Sequence, residues 1–333
     1  PHTNMETTDT RIRAISEAGG RHVITADGRV VEYSEGGSTQ PDATVLVGAY
    51  IADYLMPTIP ELEEALLRLN LRHITISFPC IGHSSPQPGH CVAEWPETDL
   101  LPVLEAAGVP GDASFLYYGS SLGTHYAMAV ATHPLTMGRV SALGLRVPYL
   151  PRPVSKALSL PDGQMSMPSS AEVAASTRKV RMWKRMVKSS MAMFADYDAE
   201  APGRWAALKR WVMAKGLMGV EAKQFHDLAR DYPQFRESFS VLLKHFGVDA
   251  MMQECAHDVA LDSEVEPRNI PNTGNTVVWY AADDKDCPPS HGKWLAEECL
   301  SAGASRVMSG YGHTGGDMID MPQFWQEMLR VAQ

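Results

Sequence analysis

The sequence predicts an α/β fold: a mostly parallel sheet covered by helices, with an all-helical block inserted between two of its strands. Three observations predict it. Short apolar runs alternate with helix-period stretches over the first 146 residues and again after residue 270. Residues 146–270 break that alternation with a long Pro- and Ser-rich connection followed by helical patterns alone. One strand-like run passes into one helix-like run through a tight, glycine-flanked turn at 119–123.

In order, residues 1–20 read as a polar, flexible lead-in. HVITA (22–26) and RVVEY (29–33) flank Asp27-Gly28, a dipeptide that favours a hairpin turn. ATVLVG (43–48) and HITISF (73–78) have the continuous apolar character of strands buried on both faces. Between them, ELEEALLRL (61–69) spaces its leucines for a helix and opens with acids, where the helix dipole favours them. A short helix is expected over 98–107, beginning at Thr98 with Asp99 in its first turn. SFLYYG (114–119) reads as a strand, 122–133 as a helix and RVSALGL (139–145) as a strand. Past the insertion come NTVVWYA (275–281), a helix over 291–301, RVMSG (306–310) and a last helix over 316–331. The expected division is therefore 21–146 and 271–333 for the core and 147–270 for a helical cap.

Composition narrows the function. The 333 residues carry 39 Asp and Glu against 29 Lys and Arg, a formal charge of -10, which argues against a dedicated nucleic-acid binder. No run reaches the roughly 18 to 20 apolar residues that a membrane span needs. The first twenty residues hold no apolar stretch of signal-peptide length. The five cysteines, Cys80, Cys91, Cys255, Cys287 and Cys299, are odd in number and widely spaced, without a CxxC pair or a zinc-ligand pattern. They read as free, mostly buried thiols of a reducing compartment, so a cytoplasmic location is the expectation.

Chemistry concentrates at Gly119-Ser120-Ser121-Leu122-Gly123, a G-x-S-x-G pentapeptide with Ser121 at its centre. Its glycines relieve crowding where the strand turns into the helix, and the serine hydroxyl then stands clear of the sheet. The Leu122 amide, in the first helical turn, is free to meet a developing oxyanion. On these residues the chain resembles the α/β-hydrolase superfamily, in its serine-nucleophile branch with a helical cap, over roughly 22–146 and 270–331. That resemblance implies a nucleophile, then an acid after a later strand, then a histidine after the last strand. His313, in the glycine-flanked loop after RVMSG, fills the third role. Asp284 fits the second by its spacing from Ala281 and Pro288, with Asp283 and Asp286 as the alternatives. Ala49, after Val47-Gly48, would supply the second oxyanion donor through its backbone N–H.

Ser121, His313 and Asp284 together would support acyl transfer without a metal or an organic cofactor. The family loop D-x-x-G-x-G-x-S has a counterpart at 79–86, but Pro79 replaces the acid and Ser84 the second glycine. Candidate pocket residues are Tyr50, Ser120, His83, Trp183 and Met186. Ten methionines in or near the insertion, with Trp183, Phe194, Trp205 and Trp211, suit an apolar acyl chain, ring or lactone. His125 reads as a packing residue and His133 as a helix-end residue. The basic run from Arg178 to Lys188 reads as a solvated helix face. The expected function is hydrolysis of a carboxylic ester, lactone or thioester on a small, apolar substrate. Carbon–carbon bond hydrolysis, a lyase or acyltransferase reaction, and a low-turnover ligand-binding role stay open, as does a homodimer.

Overall fold

The computed structural model describes residues 8–17, 19–49, 60–79, 81–87, 91–161, 178, 181–182, 185, 202–207, 265–271, 274–310, 312 and 320–333. Eight strands form one sheet: β1 (Arg21–Ile24), β2 (Val30–Gly37), β3 (Thr44–Ala49), β4 (Leu71–Ile76), β5 (Phe115–Ser120), β6 (Val140–Arg146), β7 (Thr276–Ala281) and β8 (Ala304–Met308). Their spatial order is β1-β2-β4-β3-β5-β6-β7-β8. β2 runs antiparallel to β1 and β4, and every pairing from β4 through β8 is parallel. Each expected strand is present within a few residues of its expected bounds.

Alternation along the central strands sends side chains to two cores. Phe115, Tyr117, Val278 and Tyr280 enter one, shared with α3 (Leu101–Ala106) and α4 (Gly123–Thr132). Leu116, Tyr118, Val277 and Trp279 enter the other, under α2 (Pro60–Arg68) and α7 (Met321–Val331). Such two-sided burial is why these strands read as continuous apolar runs. α4 is buried along almost its whole length, from Gly123 to Ala131, which fits a helix apolar on all sides. A short α5 (Arg152–Ala157) follows β6, and α6 (Pro289–Trp294) follows β7.

Three expectations need correction. The supposed lead-in contains a helix, α1 (Thr8–Glu17), whose Ile15 is fully buried. Arg11 on α1 donates to the carbonyls of His83 and Ser84, at 3.3 and 3.0 Å, so this helix is tied to the body of the fold. The helix expected at Thr98 instead begins with wider turns over Pro96–Leu100. Asp99 lies in that opening stretch, as expected. It is buried and forms a two-bond ion pair with Arg29, at 2.9 and 3.0 Å. Removing Arg29 would strand the buried Asp99 charge at a cost of about 3–5 kcal/mol, whereas Arg29 has a second partner in Asp27 at 2.7 Å. The third correction concerns cysteines: Cys287 is buried, but Cys91 and Cys299 are only partly so. Cys80 and Cys255 lie outside the described residues.

Most of the expected cap, 162–264, also lies outside them. Within it, 178, 181, 182, 185 and 204–207 are helical, and Arg178, Arg181 and Arg185 are exposed, as a solvated face requires. Among the described residues, no helix is long and apolar enough to cross a membrane.

Candidate active site

The turn from β5 into α4 is the tightest local feature at the carboxyl edge of the sheet. Ser121 sits there with φ 51°, a left-handed conformation that costs a non-glycine residue of order 1–3 kcal/mol. A Cβ on Gly119 would lie 2.1 Å from the Gly123 carbonyl oxygen, so strand and helix approach closely enough to require glycine. The turn is held from three sides. The Ser121 N–H donates to the Arg146 carbonyl at 2.9 Å, across to the end of β6. Thr124 Oγ1 donates to the Ser121 carbonyl at 2.6 Å and accepts the Tyr149 N–H at 3.3 Å. Ser120, an expected pocket residue, is buried, and its hydroxyl donates to the Arg146 carbonyl at 3.3 Å. Strain also marks the neighbouring strand end, where Val147, a β-branched residue, has φ 39°.

Leu122 leads α4 and is largely buried. Its amide belongs to the first turn, where N–H groups have no intrahelical acceptor. Ala49 ends β3 directly beside Gly119 of β5, the strand that leads to Leu122.

Of the three candidate acids after β7, Asp284 alone is buried, at 4 % exposure; Asp283 is exposed and Asp286 half-buried. Asp284 Oδ1 accepts the N–H groups of Asp286 at 2.9 Å and Cys287 at 2.8 Å, so its own turn fixes the carboxylate. Cys287 then spans to the nucleophile turn: its Sγ lies 3.9 Å from Ser121 Oγ. Sequence reasoning passed over this residue, although its place between Asp284 and Pro288 was the available signal.

β8 pairs with β7 up to Ala281 and Met308, and the Ala282 N–H donates to the Met308 carbonyl at 3.0 Å. The loop carrying the expected His313 therefore leaves the sheet next to the turn carrying Asp284. His313 itself, with Tyr50, Trp183 and Met186, lies outside the described residues. Of the insertion's apolar residues, Trp205 is 76 % exposed and Met182 67 %.

Two histidines nearby are fixed in other work. His125 is fully buried and stacked on Tyr149 at 5.9 Å between ring centres. Burial pushes its pKa down to about 3, partly offset by the Tyr149 backbone, which leaves it neutral and too weak a base for a serine proton near neutral pH. His291 accepts the Leu150 N–H at Nδ1, 3.2 Å, so its proton belongs on Nε2, which reaches the Pro161 carbonyl at 3.0 Å. It clasps both ends of the segment that leaves β6. His133 ends α4, and its Nδ1 accepts the Leu135 N–H at 3.3 Å.

His83 is held by its backbone. Its N–H donates to Glu32 Oε2 at 2.6 Å, an oxygen that Ser77 Oγ also approaches at 3.4 Å. Gly82, with φ 63°, passes so close that a Cβ there would overlap Glu32 Oε2. The loop that lacks an acid at Pro79 is thus supported by one from β2. Burial raises the Glu32 pKa, against the opposing effect of the two donors.

Solved structures share the order of strands and covering helices along nearly the whole chain. A probable hydrolytic enzyme from Pseudomonas aeruginosa PAO1 aligns with TM-score 0.59 and 17 % identity, over 94 % of each chain. The chain has the α/β-hydrolase fold. An enol-lactonase from Burkholderia xenovorans LB400 aligns with TM-score 0.57 and 15 % identity, over 93 % of this chain and 99 % of the other. A thermophilic esterase from Thermogutta terrifontis aligns with TM-score 0.55 and 15 % identity, over 94 % and 98 %. No protein-family model matches the sequence, and no curated protein does.

Proposed function

We propose that this α/β-hydrolase-fold chain is a serine hydrolase of carboxylic esters, lactones or thioesters whose acyl or ring portion is apolar. The observation that carries the reading is the strained Ser121 turn, with the buried Asp284 turn brought against it through Cys287. Strain is retained only where the surrounding structure enforces it, and hydroxyl exposure at a strand-to-helix turn is what a serine nucleophile needs. In this reading Ser121 Oγ attacks the carbonyl carbon, and His313 takes its proton and returns it to the leaving group. Asp284 orients His313 and stabilises the imidazolium. The Leu122 and Ala49 amides stabilise the oxyanion, and water then releases the acyl group from Ser121 by the same steps. The methionine-rich insertion, 147–270, supplies the apolar part of the substrate preference. Core segments 21–146 and 271–333 carry all the chemistry.

Hydrolysis of p-nitrophenyl esters by acid-turn variants tests the assignment. Asp284→Asn is expected to lower kcat by about 10³–10⁴, as loss of the orienting acid does in serine triads. Asp283→Asn and Asp286→Asn should stay within a few-fold of the parent. A large loss in either of those, with Asp284→Asn active, would move the acid to another residue.

A further inference from the structure

Cys287 carries more than a loop connection. At 3.9 Å its Sγ and Ser121 Oγ are in van der Waals contact, at the outer reach of a sulfur hydrogen bond, so the thiol acts here chiefly by its bulk. No atom fits between the two, so the sulfur walls one side of the space around Ser121 Oγ in which an attacked carbonyl group would sit. The backbone that carries the sulfur is also held in place. Its residue is 5 % exposed, its N–H is fixed on Asp284 Oδ1 at 2.8 Å, and the proline that follows restricts its backbone to extended conformations.

Resting on the serine-hydrolase reading, we propose that Cys287 is a specificity-determining residue whose side-chain volume sets how much branching is accepted on the carbon next to the attacked carbonyl. Cysteine is small for a buried wall position, so some branching is accepted. A larger side chain closes that space and a smaller one opens it.

The test compares kcat/KM for p-nitrophenyl pivalate and p-nitrophenyl acetate in the parent, Cys287→Ala, Cys287→Val and Cys287→Leu. A fluorophosphonate probe is used on each variant to show that Ser121 is still reactive. A misplaced methyl or methylene in an apolar pocket changes discrimination by about 10–200-fold. Cys287→Ala is therefore expected to raise the pivalate-to-acetate ratio at least about tenfold, and Cys287→Leu to lower it by a similar factor. Cys287→Val, one methyl larger than cysteine, is expected to lower the ratio in the same direction as leucine and by less. If the leucine variant does not fold, the alanine and valine variants still decide the question. Probe-reactive variants with an unchanged ratio, or with both esters slowed equally, overturn the proposal while leaving the serine reading intact. A folded parent inert to esters and probe overturns the serine reading, and this inference falls with it.

Discussion

Ser121 combines two properties that pull in opposite directions: a backbone conformation suited to glycine and a side chain suited to nucleophilic attack. Their combination has a measurable consequence. Comparing Ser121→Gly with Ser121→Ala removes the hydroxyl in both and isolates the backbone. The glycine variant is expected to be the more stable by about 1 kcal/mol in denaturant unfolding, because it adopts φ 51° without a Cβ penalty. Equal stabilities would show that the turn is not strained at that residue. At this scale much was legible in advance. Ser121 and Asp284 stood out by glycine flanks and spacing, and both lie in turns that follow strand ends. Cys287 did not stand out, because its importance lies in a distance between residues 166 positions apart, which no local pattern encodes.

Elements are joined by buried polar groups as well as by apolar packing. Glu32 of β2 holds the loop of His83 from below, and its pKa is raised by burial. A carboxyl group with a raised folded-state pKa contributes its full stability below its ordinary value of 4.5, and loses it as pH rises through the folded-state pKa. Glu32→Gln keeps an oxygen acceptor for the His83 N–H and removes the buried charge. Its melting temperature relative to the parent should therefore climb as pH increases from about 4.5 and level off above the folded-state pKa. A relative melting temperature that is flat or falls with pH would contradict a buried, ionising Glu32. The helix at 96–106 shows why element boundaries were less legible than element types. Asp99 looked like a helix-start acid, yet its partner is Arg29, 70 residues away, and that ion pair belongs to tertiary structure. The same holds for α1, whose polar sequence hides one buried isoleucine and an arginine that ties it to the loop of His83 and Ser84.

Across the whole molecule, the alternation of apolar runs and helical periods was enough to foresee a parallel, helix-covered sheet. The insertion of β4 between β2 and β3 was not, since strand order depends on which faces pack rather than on sequence neighbours. The sheet carries three loop-bearing strand ends on one edge: β3 with Ala49, β5 leading to Ser121 and β7 leading to Asp284, with β8 alongside. The central claim is that this edge activates one serine. The most direct measurement is to treat the purified chain with a fluorophosphonate probe and locate the adduct by peptide mass spectrometry, beside Ser121→Ala and His313→Ala. A single adduct on Ser121, absent from both variants, is the expected result. A folded parent that takes up no probe, or carries it on another residue, contradicts the account.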